Sequence, residues 1–202
     1  MKKIVLFILL ALVTTTILAQ TATKARQILD KTTAIVGRKG GASADFTVSS
    51  KKIGSTSGTI AIKGNKFHAR TPKAIVWYNG KTQWSYLKST NEVNVSTPTE
   101  AQRMRMNPYT FMSMYKSGYK LSSSKEGGNY VVRMVALNKQ RTVQEVYLTI
   151  NAKTYYPSSI KMREGKTWTA ITIRNFRAKN QPNSVFTFNA KDYPTAEVVD
   201  LR

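Results

Sequence analysis

Residues 74–87 read Ala-Ile-Val-Trp-Tyr-Asn-Gly-Lys-Thr-Gln-Trp-Ser-Tyr-Leu, and this stretch decides the fold. Apolar and aromatic residues fill positions 74–78 and return at positions 84, 86 and 87. The dipeptide Asn79-Gly80 between them is typical of a type I′ β-hairpin turn. We therefore predict two antiparallel strands, 74–78 and 82–87, joined at this turn.

The alternation with a period of two continues on both sides of the hairpin. Ala44, Phe46 and Val48 alternate with polar residues, and Gly58, Ile60 and Ile62 do the same. Because the connections are short, the pattern predicts an antiparallel sheet of about ten or eleven strands. The remaining predicted strands are 66–70, 92–96, 119–123, 130–137, 142–150, 158–163, 167–176 and 185–188, followed by a polar tail.

Two parts of the chain depart from the strand pattern. Thr21 to Val36 has apolar residues at helical spacing and predicts one amphipathic helix. Residues 97–118 predict two short helices, one opened by a capping box at Thr97-Pro98-Thr99-Glu100 and one by Asn107-Pro108. This second segment is rich in methionine. It is either ordinary core that plugs one end of the sheet or a movable lid over an apolar cavity.

The first nineteen residues predict a secretory signal peptide. Lys2 and Lys3 precede an apolar run from Ile4 to Val13, and Ala19 provides a small residue for cleavage. The run is shorter than the roughly 20 residues that a membrane span needs. We therefore predict an exported, soluble domain of residues 20–202.

Composition excludes several kinds of site. The chain has 202 residues, no cysteine and one histidine, so disulfides, thiolate nucleophiles and Cys-based zinc sites are excluded. No nucleophile-elbow, phosphate-loop or zinc-protease motif is present. We therefore expect no enzyme and no cofactor. His68, in a strand pattern beside Phe67, is expected to be exposed or hydrogen-bonded rather than catalytic.

The strong positive charge leaves two interpretations open. With 32 basic and 10 acidic residues, the formal net charge is +22. Attraction to an anionic membrane surface and general solubility explain this charge equally well. Nucleic acid is not expected as the partner of an exported chain.

Several motifs resemble the LolA family of periplasmic outer-membrane lipoprotein carriers. The resemblance includes Ala25–Lys31, Ala44-Asp45-Phe46 and Ser57–Ile60, and it is most specific at Asn79–Tyr86. It continues at Glu92-Val93 and at Phe186–Phe188, followed by Pro194 and Val198. The resemblance implies an incomplete, half-open antiparallel β-barrel with lid helices around an apolar cavity. It also implies a monomeric carrier that takes acylated lipoproteins from an inner-membrane ABC transporter to the outer membrane.

Strand periodicity and this resemblance together select the candidate site. The expected cavity lining is Phe46, Val48, Ile60, Ile62, Phe67, Val76, Trp84 and Tyr86, and the expected lid residues are Met104, Phe111, Met112 and Tyr115. The acceptor at the outer membrane would be a receptor protein or the anionic membrane surface itself. The family's Arg-Pro before the phenylalanine is missing at Lys63–Phe67, and Lys63, Lys66 or Arg70 is left as the candidate that holds the lid.

Other functions stay open at this point. A periplasmic lipid- or peptide-sensing regulatory module with the same half-barrel fold is the main alternative. A polysaccharide-binding structural protein is a weaker one.

Overall fold

In the described residues, an N-terminal α-helix and twelve strands make up most of the regular structure, together with short 3-10 helices. The computed structural model describes residues 20–52, 54–99, 102 and 114–202. The helix, α1, covers residues 20–36, close to the predicted range. Within the described part of the chain, no helix combines the length and the apolar content that a membrane span requires.

The strands form a single sheet, which is not closed into a barrel. Their bounds are β1 Ala42–Ser50, β2 Gly54–Lys63, β3 Lys66–Arg70, β4 Ala74–Tyr78, β5 Gln83–Leu87, β6 Glu92–Ser96, β7 Tyr119–Glu126, β8 Asn129–Ala136, β9 Val143–Asn151, β10 Pro157–Glu164, β11 Thr167–Arg177 and β12 Glu197–Asp200. The order across the sheet is β12-β6-β5-β4-β3-β2-β1-β11-β10-β9-β8-β7. The mainly β, half-open fold predicted from the sequence is confirmed.

Most strand pairs are antiparallel, and the central pair joins two meanders. Strands β1–β6 and β7–β11 each run between sequence neighbours, and β1 pairs with β11 to unite them. The last strand, β12, lies parallel to β6. The expectation of a purely antiparallel sheet rested on short connections between strands, and it is wrong at this edge. The connection from β6 to β12 is long, which is what parallel pairing requires.

Helix α1 packs on one side of the sheet, which we call the helix face. Its apolar positions Ala25, Ile28 and Leu29 are at most 1% exposed and join the largest buried cluster. Strands β1–β4 and β7–β10 supply the other side of this cluster, through residues such as Phe67 and Leu148. The helical spacing read from the sequence thus corresponds to the buried side of α1.

The opposite side, the outer face, carries a second buried group at β3–β6. Trp77 lies 5.4 Å from Phe188 and 5.6 Å from Tyr193, and Tyr86 lies 4.8 Å from Tyr193, measured between ring centroids. The C-terminal segment after β11 therefore covers this part of the outer face. Its residues 185–188 were predicted to be a strand, but Asn183–Phe186 forms a 3-10 helix.

The hairpin at Asn79-Gly80 exists but is not a two-residue type I′ turn. Gly80 has a φ of 102°, whereas Asn79 is not among the residues with positive φ. Instead, the Asn79 side-chain oxygen accepts hydrogen bonds from the backbone N–H groups of Lys81 and Thr82. The connection therefore has four residues, 79–82, and β5 begins at Gln83.

Candidate functional site

Six of the eight predicted lining residues share the helix face. Register alone fixes this, because residues directly opposite each other on paired strands point to the same side. Phe46 is opposite Gly58, two positions from Ile60, and Ile62 is opposite Phe67. The strands therefore bring together Phe46, Val48, Ile60, Ile62, Phe67 and Val76.

These six residues differ in their accessibility. Ile62 and Phe67 are 7% and 2% exposed and belong to the main core under α1. The other four are only partly buried. We call the partly buried helix-face residues the apolar strip: Phe46, Val48, Ile60, Val76, Ile171 and Ile173.

The apolar strip is continuous across neighbouring strands. Val48 is opposite Ile171, and Phe46 is opposite Ile173, so β1 and β11 present four apolar side chains side by side. Gly58 leaves room for the Phe46 ring, because a Cβ there would lie 2.9 Å from the ring's Cζ and 2.1 Å from the Arg70 carbonyl oxygen. The strip lies next to the buried core, and its side chains remain partly exposed.

Trp84 and Tyr86 lie elsewhere, which corrects the grouping expected from the sequence. Trp84 is opposite Trp77, and Tyr86 is opposite Ile75, so both residues point to the outer face. Val76 is opposite Ser85, so Trp84 and Tyr86 alternate with the Val76 set and share the side of Ile75 and Trp77. We therefore leave Trp84 and Tyr86 out of the candidate lining.

Most of the predicted lid lies outside the described residues. Met104, Phe111 and Met112 belong to that part, and their assignment to a lid stays a prediction. The start of the segment shows a capping box two residues later than predicted. The backbone N–H of Thr99 donates to Gln102 Oε1 over 2.8 Å, and the N–H of Gln102 donates to Thr99 Oγ1 over 3.3 Å.

Tyr115, the fourth predicted lid residue, belongs to the main core. It lies in the 3-10 helix Met114–Lys116, is 2% exposed, and donates a 2.5 Å hydrogen bond to Asp30 Oδ1 on α1. Burial and this hydrogen bond raise the pKa of Tyr115 to about 12. Tyr115 thus anchors the chain to α1 and is not part of a moving surface.

One candidate for the missing arginine is already engaged. The Lys63 ammonium group donates a hydrogen bond of 3.0 Å to the carbonyl oxygen of Gln181. It therefore ties β2 to the segment after β11. Of the other two candidates, Lys66 is partly buried and Arg70 is exposed.

A polar network that the sequence patterns did not predict lies on the outer face of β8–β11, and we call it the ladder. It consists of Arg133, Glu145, Tyr147, Lys161, Arg163 and Trp168. Glu145 receives hydrogen bonds from Arg133 Nε at 2.8 Å and from the Tyr147 hydroxyl at 2.9 Å. Arg163 Nη2 lies 3.2 Å from the second carboxylate oxygen of Glu145. Burial opposes ionisation of Glu145, but these hydrogen bonds outweigh it and keep its pKa below the usual range.

His68 is enclosed on the outer face. Its ring stacks on Trp77 with 5.5 Å between centroids, and its Nε2 is buried with no hydrogen-bond partner among the described residues. Burial lowers the pKa of His68, and the positive charge of Arg70 lowers it further. The expectation of an exposed or hydrogen-bonded histidine is therefore wrong for Nε2.

We expect acid to destabilise the fold through His68. The pKa of His68 is lower in the folded chain than in the unfolded one. The contribution of neutral His68 to the free energy of unfolding is therefore complete above pH 6.5 and is lost as the pH falls. Urea unfolding at pH 7.5 and pH 5.5 should show a smaller free energy of unfolding at the lower pH. His68→Gln should flatten this dependence, because His68 is the chain's one histidine. An equal pH dependence in both proteins would contradict the assignment.

Comparisons with known proteins agree with this architecture. The family described as "Outer membrane lipoprotein carrier protein LolA" matches residues 15–166. No curated protein matches the chain at a significant level. An uncharacterized conserved protein from Thermus thermophilus has a similar fold, with a TM-score of 0.58 and 15% identity over 88% of this chain and 99% of that one.

Two more distant structures are similar over most of their length. A LolA superfamily protein from Nitrosomonas europaea has a TM-score of 0.43 and 10% identity, over 81% of this chain and 97% of that one. The lipoprotein LppX from Mycobacterium tuberculosis has a TM-score of 0.46 and 12% identity, over 81% and 97%. The family match covers most of the chain, and the protein belongs to the LolA outer membrane lipoprotein carrier family.

Proposed function

We propose that the protein is an exported carrier that shields the acyl chains of lipoproteins against the apolar strip. The observation that carries this proposal is the strip itself, a continuous row of partly buried apolar side chains on an unclosed sheet. A solvent-accessible apolar surface beside a sealed core is typical of a binding groove. The family's description as a lipoprotein carrier supports the same ligand class.

The chemistry of the strip suits a hydrocarbon chain. Its members are one phenylalanine and five β-branched aliphatic residues, so it offers van der Waals contact without hydrogen-bonding groups. Each methylene that leaves water for such a surface contributes about 0.8 kcal/mol. A long acyl chain can therefore be held by non-directional contacts, and it can be released without breaking any covalent bond. The proposal requires neither an enzyme activity nor a cofactor.

The proposed route places the protein in the periplasm. Residues 1–19 act as the signal peptide, cleavage follows Ala19, and residues 20–202 form one carrier domain that works as a monomer. The donor is an inner-membrane ABC transporter that releases lipoproteins. The acceptor is an outer-membrane receptor or the membrane surface.

Native mass spectrometry of the protein purified from the periplasm tests the proposal. We expect the mass of residues 20–202, together with adducts of acylated peptide or phospholipid. We expect these adducts because the apolar strip should retain bound acyl chains while the protein is isolated. A chain that carries a non-acylated peptide in place of lipid would favour the regulatory binding module. A chain that neither retains nor takes up acylated lipoprotein would refute the carrier.

A further inference from the structure

In the ladder, cations and aromatic rings alternate across neighbouring strands. Lys161 Nζ lies 4.7 Å from the centroid of the Trp168 ring, and the Arg163 guanidinium carbon lies 5.8 Å from the same ring. The Arg133 guanidinium carbon lies 5.7 Å from the Tyr147 ring. These contacts hold each cation beside an aromatic face at the protein surface.

Lys120 on β7 extends the surface of the ladder, so that a row of neighbouring residues crosses five strands. Lys120 is opposite Val135, and Val135 is opposite Glu145. Glu145 is opposite Arg163, which is opposite Trp168. At a strand spacing of about 4.8 Å, this row extends roughly 20 Å. With Lys120 at its end, the ladder forms a broad surface and not a pocket.

The charge of this surface is strongly positive. Glu145 is the one carboxylate that the strands β8–β11 place on the ladder, and it is buried and shared by two arginines. Arg133, Lys161 and Lys120 are exposed. Four cations including Arg163 therefore face one neutralised carboxylate, and the surface attracts anions.

We propose that the ladder is the face by which the protein docks on anionic lipid headgroups. Charge complementarity selects an anionic partner, and the partly buried Trp168 and Tyr147 rings select a membrane interface, where such rings are favoured. The ladder lies on the side of the sheet opposite the apolar strip, so docking leaves the strip free. The inference rests on the proposed function insofar as a carrier must reach a membrane to take up or release its cargo.

Vesicle binding by a charge-deleted variant tests the proposal. Lys120→Gln combined with Lys161→Gln removes two exposed cations that do not contact Glu145. The matched control is Lys51→Gln with Lys52→Gln, which removes two exposed cations from the turn between β1 and β2. Each protein is sedimented with vesicles of phosphatidylcholine, with and without phosphatidylglycerol. Binding of an acyl-chain probe without vesicles is measured alongside.

We expect the unmodified protein to bind phosphatidylglycerol vesicles and not pure phosphatidylcholine. Each basic residue near an anionic surface contributes about fivefold to affinity. The variant with Lys120→Gln and Lys161→Gln should therefore bind these vesicles about 25-fold more weakly. The control variant with Lys51→Gln and Lys52→Gln should lose less than fivefold in affinity. Trp168→Phe should abolish the blue shift of fluorescence that vesicles induce in the unmodified protein. Salt should weaken the binding steeply.

Three results would overturn the docking face. They are equal losses in the two pairs, no binding to anionic vesicles, and binding through the ladder to an acidic peptide or an oligonucleotide without binding to vesicles. Acyl-probe binding keeps the two proposals separate. If the probe binds but vesicles do not, the docking face is wrong and the carrier stands. If vesicles bind but the probe does not, the carrier is wrong.

Discussion

Replacing Phe46 and Val48 together with serine is expected to weaken the binding of an acyl-chain probe by about 30-fold or more. Both side chains are partly buried members of the apolar strip, and neither belongs to the main core cluster. Full burial of such a side chain contributes roughly 1.5–3 kcal/mol, so losing half of that at two positions costs about 2 kcal/mol of binding. Displacement of a fluorescent fatty acid measures the change.

The matched control for this variant is on the other side of the sheet. Val131 is partly buried, like Val48, but it is opposite Thr149 and Ser124 on the outer face. Val131→Ser should leave probe binding unchanged, whereas Val48→Ser alone should reduce it. Equal losses in the two single variants would show that binding follows overall stability and not the apolar strip.

Replacing Phe67 with alanine is expected to lower the free energy of unfolding by about 3–5 kcal/mol. Phe67 is 2% exposed, and its ring centroid lies 5.5 Å from that of Tyr78. It belongs to the same buried cluster as Ile28 and Leu29 of α1, so the substitution opens a cavity between the helix and the sheet. Urea unfolding followed by circular dichroism measures the loss.

Phe46→Ala provides the comparison for this second prediction. The same atoms are removed from the same face of the sheet, but the Phe46 ring is already partly accessible to water. Its loss of stability should be roughly half that of Phe67→Ala or less. A loss as large as that of Phe67→Ala would identify Phe46 as core and would remove the basis for a groove at the apolar strip.

Local periodicity was enough to predict most of the architecture. Thr21 to Val36 has the helical spacing of apolar residues, and α1 forms over residues 20–36. The strands around the 74–87 hairpin alternate with a period of two, and β4 covers the predicted range. These elements are predictable because the residues that define the pattern are the ones buried in the fold.

The side of the sheet that each residue faces was harder to predict. In β4 both alternating sets are apolar, with Ile75 and Trp77 on the outer face and Val76 and Tyr78 on the helix face. Both sides are covered, one by the C-terminal segment and the other by the core. Alternation alone therefore cannot say which set of β5 residues faces the helix, and Trp84 and Tyr86 were placed on the wrong side.

The C-terminal region was mispredicted because its structure depends on distant partners. Glu197–Asp200 is short and charged at both ends, and it becomes β12 through pairing with β6. The Leu201 N–H extends this pairing by donating to the Val95 carbonyl oxygen over 2.8 Å. Such tertiary pairing overrides weak local preference.

The ladder left only a faint signal in the sequence. Arg133, Tyr147, Arg163 and Trp168 occupy polar-side positions of separate strands, far apart along the chain. They become neighbours only through the register of β8 to β11. A sequence signal for the ladder does exist. Aromatic and basic residues occupy polar-side positions on strands that were predicted to be neighbours.

The pairing of β1 with β11 has a consequence for how fast the protein can fold. Phe46 meets Ile173 only after about 130 further residues have been synthesised. At about 5–20 residues per second, this delay is on the order of ten seconds. Until then, one edge of the first meander has no partner. High contact order of this kind slows folding, so we expect the newly made chain to depend on chaperones during this interval.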